Sequence, residues 1–553
     1  MTVSMAPVAW TLGLDLGVWH LVTASSTVAD PTSVSVDVNS LSNRSTPTCA
    51  AFDCGAQLRL VGEQCEGKLA SLINSGSSPV MENVTAYLGL NPGEAPLVEL
   101  GPVRFTVSCN FGGTDLVNVD ACLLTSVLIE KLLDCARLGR SGAEPLPRHA
   151  TVAVPDWFTE VQVQAAVKAC RIAGLQHVSV VSSSLAVATA LLHKEGAAIS
   201  GSAGDGDQVV NVLVVDVGYS HTTSTLIEFQ GARGTTVKNV VTDPSVGVVS
   251  LIKVLEKMTG TDSCSLGTRA AQRLKNACQK TLKELSMLSD ANIDVECFTP
   301  EGSDLHLHVT REKLASGAKS KLSRITDCVR SCIEEGVQVH RVEIIGGGSR
   351  VPCVQDAILQ ALPMPVPLGR GLDGSSSVAV GAALHAAGLR EVQCPSPLIT
   401  PDVSVEEHLA LIAESARQVE KAELSRLDKR NCIEGLMYKV RGWVSEHGSL
   451  IDGPTVSAHI RELEMWLEED RLLEEYTQKL GELESYIGTN CSRVMEKLQQ
   501  DCSDQDRRLT EGAAVASATA VKEDHDTRKL PTKERLRYNK SRHFTPYPFQ
   551  HGV

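Results

Sequence analysis

Two similar strand–turn–strand segments most constrain what this chain can fold into. One runs over Val212–Phe229, VLVVDVGYSHTTSTLIEF, where an apolar run typical of a fully buried strand leads to Asp216 and a second strand pattern follows the turn. The other, Trp10–Ser25, WTLGLDLGVWHLVTAS, repeats this order around Asp15. Each aspartate is followed two residues later by a glycine. The repeat predicts two β-hairpins in tandem halves.

A third segment, Val342–Pro352, VEIIGGGSRVP, supplies another strand and then a glycine turn. A carboxylate at the end of a buried strand, beside a glycine whose backbone can approach a ligand closely, suits a magnesium-bound phosphate between two lobes. Taken singly, each aspartate is also explained as a strand-end turn residue, and each glycine as part of a plain turn.

Together with TVAVPDWFTEVQVQAAVKACRIAGL at Thr151–Leu175, the three segments occur in the order of a known superfamily. They resemble the two phosphate loops and the adenosine loop of actin, sugar kinases and heat-shock ATPases, and they look like the seventy-kilodalton heat-shock chaperones in particular. The resemblance implies an α/β fold: a two-lobed, actin-like ATPase domain with duplicated ribonuclease H-like halves, followed by an α-helical bundle like the chaperone lid.

Composition limits the class of protein. A chain of 553 residues with 42% hydrophobic residues predicts two to four folded units. The net charge of −14 argues against nucleic-acid binding, because phosphate contacts need clustered Lys and Arg. The odd number of cysteines, 17, favours reduced thiols over a disulfide framework. Because we recognise no secretory leader and no membrane-spanning run, we expect a cytoplasmic protein.

The order of patterns along the chain predicts four regions. They are a nucleotide-binding domain over 8–389, a linker over 390–403, an α-helical bundle over 404–500, and a disordered, basic tail over 501–553. The family's peptide-gripping β-sandwich is missing after the linker, where helical patterns begin at once. The segments DKRNCIEGLMYKVRGWV and LEMWLEED resemble the lid of the hundred-and-ten-kilodalton subfamily. The tail is either a solvated segment or a basic peptide that binds a partner.

Helix boundaries and faces are also predicted. Thr159 with Gln162 forms the pattern of a capping box, opening a helix that ends near Ile172, and Ser404 with Glu407 forms a second one. Apolar stripes at helical spacing predict the core of the bundle. These stripes are Ile433, Leu436, Val440 and Trp443; Ile460, Leu463 and Trp466; and Tyr476, Leu480, Leu483 and Ile487.

The resemblance implies a set of nucleotide-binding residues, with ATP or ADP and magnesium as the cofactor if nucleotide binding is retained. Asp15 and Asp216 would hold magnesium indirectly, through water. The full set is Asp15, Gly17, Val18, Trp19, Asp216, Gly218, Tyr219, Lys283, Ser286, Gly346, Gly347, Gly348, Ser349 and Arg350. On the adenine-side helix, Gln279 and Leu282 replace residues that are usually charged.

The catalytic positions of the family are degenerate here. The paired threonines of the first loop align with Val18 and Trp19, and Trp19 could occupy phosphate space. The phosphate-contacting lysine falls on Thr85 and the catalytic glutamate on Ser183, while the threonine and aspartate of the second loop fall on His221 and Thr223. Losing one such group typically costs about two to three orders of magnitude in rate. We therefore assign no catalytic residue and expect negligible ATP turnover.

The domains that are kept suggest a co-chaperone. The hundred-and-ten-kilodalton relatives act as nucleotide-exchange factors, using an ATPase domain and lid helices, which are the two parts present here. The predicted partner is a cytosolic seventy-kilodalton heat-shock chaperone, with unfolded proteins as further candidate clients and with no nucleic acid or membrane. The alternatives are an ATP-dependent folding chaperone, a pseudo-ATPase scaffold, and a small-molecule kinase of the same superfamily.

Overall fold

The computed structural model describes residues 10–503, apart from 28, 92, 99, 101–108, 117–118, 139–146, 148, 203–208, 231–233, 262–267, 299–301, 390–391, 395–397 and 502. Contacts divide the chain between Glu420 and Lys421 into two compact units. Almost all of the predicted tail over 501–553 lies outside the described residues, so its predicted disorder stays a prediction.

The first unit contains both strands and helices, and the second contains only helices in its described part. The strands are β1 Trp10–Leu16, β2 His20–Thr27, β3 Ser35–Val36, β4 Thr46–Pro47, β5 Ala50–Asp53, β6 Leu58–Val61, β7 Val80–Met81, β8 Cys109–Phe111, β9 Thr114–Leu116, β10 His149–Val154, β11 Val178–Ser182, β12 Val210–Val217, β13 Thr222–Phe229, β14 Thr235–Asp243, β15 Asp290–Val295, β16 Leu305–Thr310, β17 Arg341–Ile345, β18 Leu368–Gly369 and β19 Val392–Gln393. The helices are α1 Gly62–Ser75, α2 Ala121–Leu138, α3 Glu160–Ile172, α4 Ser183–Ser202, α5 Val248–Met258, α6 Thr268–Met287, α7 Arg311–Gly317, α8 Lys319–Cys332, α9 Pro352–Ala361, α10 Ser377–Ala386, α11 Glu407–Glu446, α12 Gly453–Leu467 and α13 Leu473–Asn490.

The two larger sheets repeat one topology. The first has the order β11-β10-β1-β2-β3, with β1 parallel to β10 and antiparallel to β2. The second has the order β18-β17-β12-β13-β14-β19, with β12 parallel to β17 and antiparallel to β13. The hairpin β1–β2 thus corresponds to β12–β13, as the sequence repeat predicts. The α/β fold with duplicated halves is confirmed.

Helix α10 joins the two halves at very short range, because its residues and their neighbours are small. A Cβ atom added to Gly381 would lie 1.8 Å from the carbonyl oxygen of Ala186 on α4. One added to Gly13 on β1 would lie 2.2 Å from the backbone nitrogen of Ala383. Only glycine allows backbones to approach this closely.

Helix α3 begins as the sequence predicts. The Thr159 side chain accepts a hydrogen bond from the Gln162 backbone N–H, and the Gln162 side chain accepts one from the Thr159 backbone N–H at 3.0 Å. After Ile172 the chain turns at Gly174, whose φ of +100° is the left-handed conformation that glycine favours. The predicted capping box and helix end are confirmed.

The segment that follows the nucleotide-binding region contacts both halves of the first unit. Strand β19 pairs in parallel with β14, so it extends the second sheet. The Thr400 side chain accepts a hydrogen bond of 2.9 Å from the backbone N–H of Val180 on β11, in the first sheet. We call residues 392–420, which include these contacts and the start of α11, the strap.

The first turns of α11 pack on the first unit. Ala413 and Ala416 are buried in the core of the first half, and the Glu420 carboxylate lies 2.7 Å from Arg59 Nη2. The contact boundary therefore falls inside α11 rather than at residue 404, where the predicted bundle begins; the four-region division itself stays a prediction. The predicted capping box at Ser404 is wrong, because α11 begins at Glu407 and the Glu406 carbonyl accepts its first hydrogen bonds.

The second unit has its own apolar core. It is built from the rest of α11, from α12 and α13, and from a further helical stretch over 492–501. The predicted stripes supply this core, which confirms them. Its buried members include Ile433, Val440, Trp443, Ile460, Leu463, Tyr476, Leu483 and Ile487. Residues 404–501 contain no strand, in agreement with the missing sandwich.

None of the helices that the structure describes combines the length and the apolar character needed to cross a membrane.

Candidate functional site

The turn between β1 and β2 carries the first predicted phosphate loop. Asp15 lies near the end of β1 and pairs with Val22 across the hairpin. The backbone of the turn is held from outside: the Thr85 hydroxyl donates a hydrogen bond of 2.8 Å to the Gly17 carbonyl, and the Thr48 backbone N–H donates one of 3.0 Å to the Trp19 carbonyl. The turn is thus fixed by neighbouring structure in the first half.

The turn between β12 and β13 carries the second predicted phosphate loop. Asp216 pairs with Thr223, and the Gly218 backbone N–H donates a hydrogen bond of 3.0 Å to the His221 carbonyl, which closes the turn. Backbone N–H groups at the start of α5 donate to the carbonyls of Gly218 and Tyr219, at 3.0 and 2.7 Å. These bonds satisfy donors that a helix N-terminus leaves free.

The glycine turn after β17 closes on the second loop. Ile345 pairs with Asp216, and Gly346 has a φ of +79°. A Cβ atom on Gly346 would lie 2.3 Å from Asp216 Oδ1, so this position requires glycine for space as well as for conformation. Ser349 donates a hydrogen bond of 2.8 Å to the Gly346 carbonyl. The structure thus brings the third segment against the second.

The rest of the glycine turn is a short 3₁₀ helix over Gly347–Arg350. Gly348 packs close to Val217, because a Cβ atom there would lie 2.5 Å from Val217 Cγ1. The Arg350 guanidinium is exposed and donates a hydrogen bond of 3.2 Å to the Ser375 hydroxyl.

Three aspartates influence one another at the ends of strands β1, β10 and β12. Burial, and then the charge of Asp216, raise the pKa of Asp15 to about 8. Burial, and then Asp156, raise the pKa of Asp216 to about 7, and burial raises that of Asp156 to about 6. Buried carboxyl groups that lie this close to one another favour a nearby cation. Asp156 was missed from the sequence, although it follows β10, which lies parallel to β1 and ends at the same edge.

Aromatic side chains connect the two phosphate loops. The rings of Trp19 and Tyr219 are stacked, with centroids 4.3 Å apart and planes 26° apart. The Lys275 ammonium on α6 lies 5.5 Å from the centroid of the Trp19 ring and forms an ion pair of 2.7 Å with Glu82. Val18 is only 2% exposed and belongs to the apolar core of the second half. Both loops therefore meet through side chains.

Lys275 and Glu82 are functional candidates that the sequence analysis missed. Lys275 precedes Gln279 and Lys283 on α6 at spacings of four residues, so helical periodicity alone places the three on one face. Of the predicted adenine-side residues, Lys283 lies near His20, whose pKa is lowered to about 4 by burial and then by Lys283. The Ser286 hydroxyl donates to the Lys283 carbonyl at 2.6 Å.

The positions of the family's catalytic groups hold side chains that are engaged in the fold. Thr85 is fully buried and bonded to the Gly17 carbonyl, and the Ser183 hydroxyl donates a hydrogen bond of 3.1 Å to the Val154 carbonyl. His221 is buried, and burial lowers its pKa to about 4, so its ring is neutral at neutral pH. The hydroxyls of Thr223 and Thr242 lie 3.0 Å apart. None of these four side chains carries charge at neutral pH.

The sequence profile of the family described as Hsp70 protein matches residues 11–405. The chain belongs to the Hsp70 family. Among curated proteins, the Hsp70-family chain is 26% identical over 405 residues to a heat shock protein homolog of the yeast Saccharomyces cerevisiae, covering 68% of this chain and 55% of that protein. It is 27% identical over 404 residues to a second heat shock protein homolog of the same yeast, with the same coverage.

A plant relative matches a shorter part. Heat shock 70 kDa protein 16 of Arabidopsis thaliana is 26% identical over 253 residues, covering 44% of this chain and 32% of that protein. The Hsp70-family chain thus spans about half the length of the yeast relatives that it matches. Together with the family match, these identities confirm a divergent member of the seventy- and hundred-and-ten-kilodalton heat-shock proteins.

Hsp70 proteins in general bind nucleotide with magnesium, and the site can be tested against that ligand. The metal half fits: Asp15 and Asp216 lie at the ends of corresponding strands, and Gly346 leaves no side chain between the third turn and Asp216. The polyphosphate half does not fit, because the apolar rings of Trp19 and Tyr219, one from each phosphate loop, stack on each other with centroids 4.3 Å apart.

Proposed function

We propose that this Hsp70-family chain is a co-chaperone that accelerates nucleotide exchange on a seventy-kilodalton heat-shock chaperone of the cytoplasm, without turning over ATP itself. One observation carries the proposal: the two-lobed domain is intact, whereas the catalytic positions are occupied by uncharged, buried side chains. The hydroxyls of Thr85 and Ser183, where a lysine and a glutamate are expected, donate to the carbonyls of Gly17 and Val154.

Nucleotide exchange does not require hydrolysis by the factor itself. A factor accelerates release if its surface binds the open form of the partner's ATPase domain better than the closed form, since a ligand shifts an equilibrium by its differential affinity. The two-lobed unit and the helical unit each offer surface for such a contact, and a peptide-gripping sandwich, which residues 404–501 do not form, is not needed for it. Similarity to the two yeast heat shock protein homologs supports a place among heat-shock proteins.

The co-chaperone needs no bound ATP or ADP of its own for this role. Unfolded proteins are further candidate partners. Residues 404–501 contain no strand, so within the described residues such clients would have to bind a surface other than a β-sandwich. A pseudo-ATPase scaffold is the competing function, and the same experiment separates the two.

The test is the release of a fluorescent nucleotide from a cytosolic seventy-kilodalton chaperone of the same cell, with and without this protein. We expect release to be faster by roughly tenfold or more, within the usual range of coupling between two binding events. An equal concentration of the heat-denatured protein is the control. No acceleration at concentrations where the two proteins bind each other would favour the scaffold and overturn the exchange role.

ATP turnover by the protein alone is measured in parallel. We expect no magnesium-dependent hydrolysis above the background of the buffer, since neutral side chains cannot compensate the charge that develops on the transferred phosphoryl group. A steady rate that the Asp216→Ala variant abolishes would contradict the inactive site.

A further inference from the structure

Four side chains from separate elements form one continuous contact between the two halves of the first unit. We call the boundary between these halves, where the two phosphate loops face each other, the cleft. Trp19 follows β1, Tyr219 follows β12, Lys275 lies on α6, and Glu82 follows β7. The Trp19 and Tyr219 rings stack on each other. The Lys275 ammonium lies over the Trp19 ring, and the Glu82 carboxylate forms an ion pair with that ammonium. We call these four side chains the latch.

The residue next to Trp19 in the first loop packs in the apolar core of the second half. Val18, next to Trp19, is packed in the same apolar core as Val217 and Tyr219, which come from β12 and the turn after it. Ala86 and Trp157 of the first half join that core too. The first loop is therefore held against the second by buried apolar surface as well as by the stacked rings, and burial of this kind favours the closed arrangement.

We propose that the latch closes the cleft in the place of a nucleotide polyphosphate, so that the closed form of this protein does not depend on nucleotide. The exchange role is not assumed by this inference, which concerns the conformation of the chain alone. Within the latch, the stacked rings supply the contact between the loops, and the Lys275–Glu82 ion pair holds the cation over the Trp19 ring.

The charges around the latch also oppose a polyphosphate. The Lys275 ammonium lies 5.5 Å from the centroid of the Trp19 ring, and it is already paired with Glu82. Glu66 lies close by, and burial followed by the charges of Glu82 and Glu63 raises its pKa to about 7, so this side of the cleft is rich in carboxyl groups. Lys283 also lies near Glu66 and His20, so the described cations on this side are Lys283 and the already paired Lys275. An anion placed against the apolar rings and beside these carboxyl groups loses its hydration with little in return.

Hydrogen–deuterium exchange of the full chain tests the latch. The peptides that cover the β1–β2 turn and the β12–β13 turn are followed without nucleotide and with millimolar Mg–ADP or Mg–ATP. We expect slow exchange in both turns of the wild-type protein, and no change on adding either nucleotide. Added protection of these turns by nucleotide would overturn the proposal, because it would mean that nucleotide rather than the latch closes the cleft.

Substitutions at the stacked ring make the test specific. Trp19→Thr removes the ring, and we expect roughly tenfold faster exchange in both turns, the size expected for losing an aromatic pair and a cation–π contact. Trp19→Phe keeps a ring that can stack, and we expect exchange within about twofold of the wild type. Equal exchange in the wild-type and Trp19→Thr proteins would overturn the latch.

A second variant removes the cation and leaves both rings in place. If Trp19→Thr fails to fold, as judged by exchange in β10 and α3, Lys275→Met decides the matter. Faster exchange in both turns of Lys275→Met supports the latch, and unchanged exchange overturns it. Tyr438→Ala, at a side chain that is 72% exposed in the second unit, is the control that should leave both turns unchanged.

Discussion

His221 is a titratable side chain buried in the turn after β12. Its ring packs beside Gly218, whose added Cβ atom would lie 3.0 Å from His221 Cε1, and it lies 6.3 Å from the ring of Trp157. The Nδ1 atom is buried without a hydrogen-bond partner. With no acceptor or carboxylate bonded to it, a protonated ring would be costly to bury, which is why the pKa falls to about 4.

This burial makes the stability of the first unit depend on pH. Between the usual histidine pKa of 6.5 and the folded value of about 4, the unfolded chain binds a proton that the folded chain does not. The free energy of unfolding therefore falls as pH is lowered through this window, by about 3 kcal/mol in full. The His221→Gln variant cannot take up this proton, so we expect a smaller loss between neutral pH and about pH 4.5.

The measurement is urea denaturation at the two pH values, read from pulsed hydrogen exchange in β12 and β13. His20 has its pKa lowered to about 4 as well, but it is present in both proteins and its contribution cancels in the comparison. Parallel losses in the wild-type and His221→Gln proteins would contradict a neutral, buried His221.

Residues that share a local pattern were predictable, and those that meet across the fold were not. Asp15 and Asp216 stand out because each ends an apolar strand before a glycine, and the space that Gly346 leaves follows from a strand–glycine pattern. The stack of Trp19 on Tyr219 depends on how closely two distant turns approach, which no local spacing encodes. From the sequence, we predicted only that the Trp19 side chain could occupy the position of the nucleotide phosphates, and not that it stacks on Tyr219.

Helix α11 shows how one element is held by a buried ion network. The Glu420 carboxylate accepts hydrogen bonds from the backbone N–H and the guanidinium of Arg59, and from the Lys131 ammonium at 2.7 Å. Arg59 also pairs with Glu130 at 3.0 Å. The side chains of Arg59 and Glu420 are only 4% and 5% exposed, so each depends on the other for compensation of its charge.

Neutralising Glu420 should loosen the start of α11. In Glu420→Gln the buried guanidinium loses a charged partner, and removing one partner of a buried pair typically costs about 3–5 kcal/mol. We expect much faster hydrogen exchange over 407–420 and in β6. The control is Glu414→Gln on the same helix, where the glutamate is 54% exposed and the ion pair with Arg417 is worth at most about 1 kcal/mol. Equal effects of the two substitutions would refute the network.

The sequence predicted that α11 is a helix, but it did not predict that the first turns of this helix pack on the first unit. An amphipathic pattern says which face is apolar, and it is silent on whether that face meets the bundle or the preceding domain. The capping pattern at Ser404 was misleading for a similar reason, since spacing alone does not show where the first helical turn begins. The capping box at Thr159 was right because an apolar helix and a terminal glycine follow it directly.

On the scale of the whole molecule, the chain contains separate apolar cores. The clusters of the first unit are built from residues before 420, and the core of the second unit from residues after 430. Separate cores predict separate unfolding, because burial within one unit does not stabilise the other. The long apolar stripes of the helices made this second core predictable from the sequence.

A substitution that creates a cavity in the core of the second unit tests whether the two units unfold independently. Ile460 on α12 is 2% exposed, and Ile460→Ala should destabilise the second unit by about 2–5 kcal/mol. Met465→Ala, on the same helix but at a side chain that is 62% exposed, is the matched control. We expect faster hydrogen exchange in α12 and α13 of Ile460→Ala, with β12 and β13 unchanged. Acceleration that spreads to these strands would show a single cooperative unit instead.

The strap sets a limit on how far the two halves of the first unit can part. Gln393 is paired into the second sheet, and Thr400 is bonded to the first. Seven residues of chain reach at most about 25 Å when fully stretched, whatever path they take. The halves can therefore move apart only as far as the length of this connection allows, and any wider opening must first detach one of its two ends.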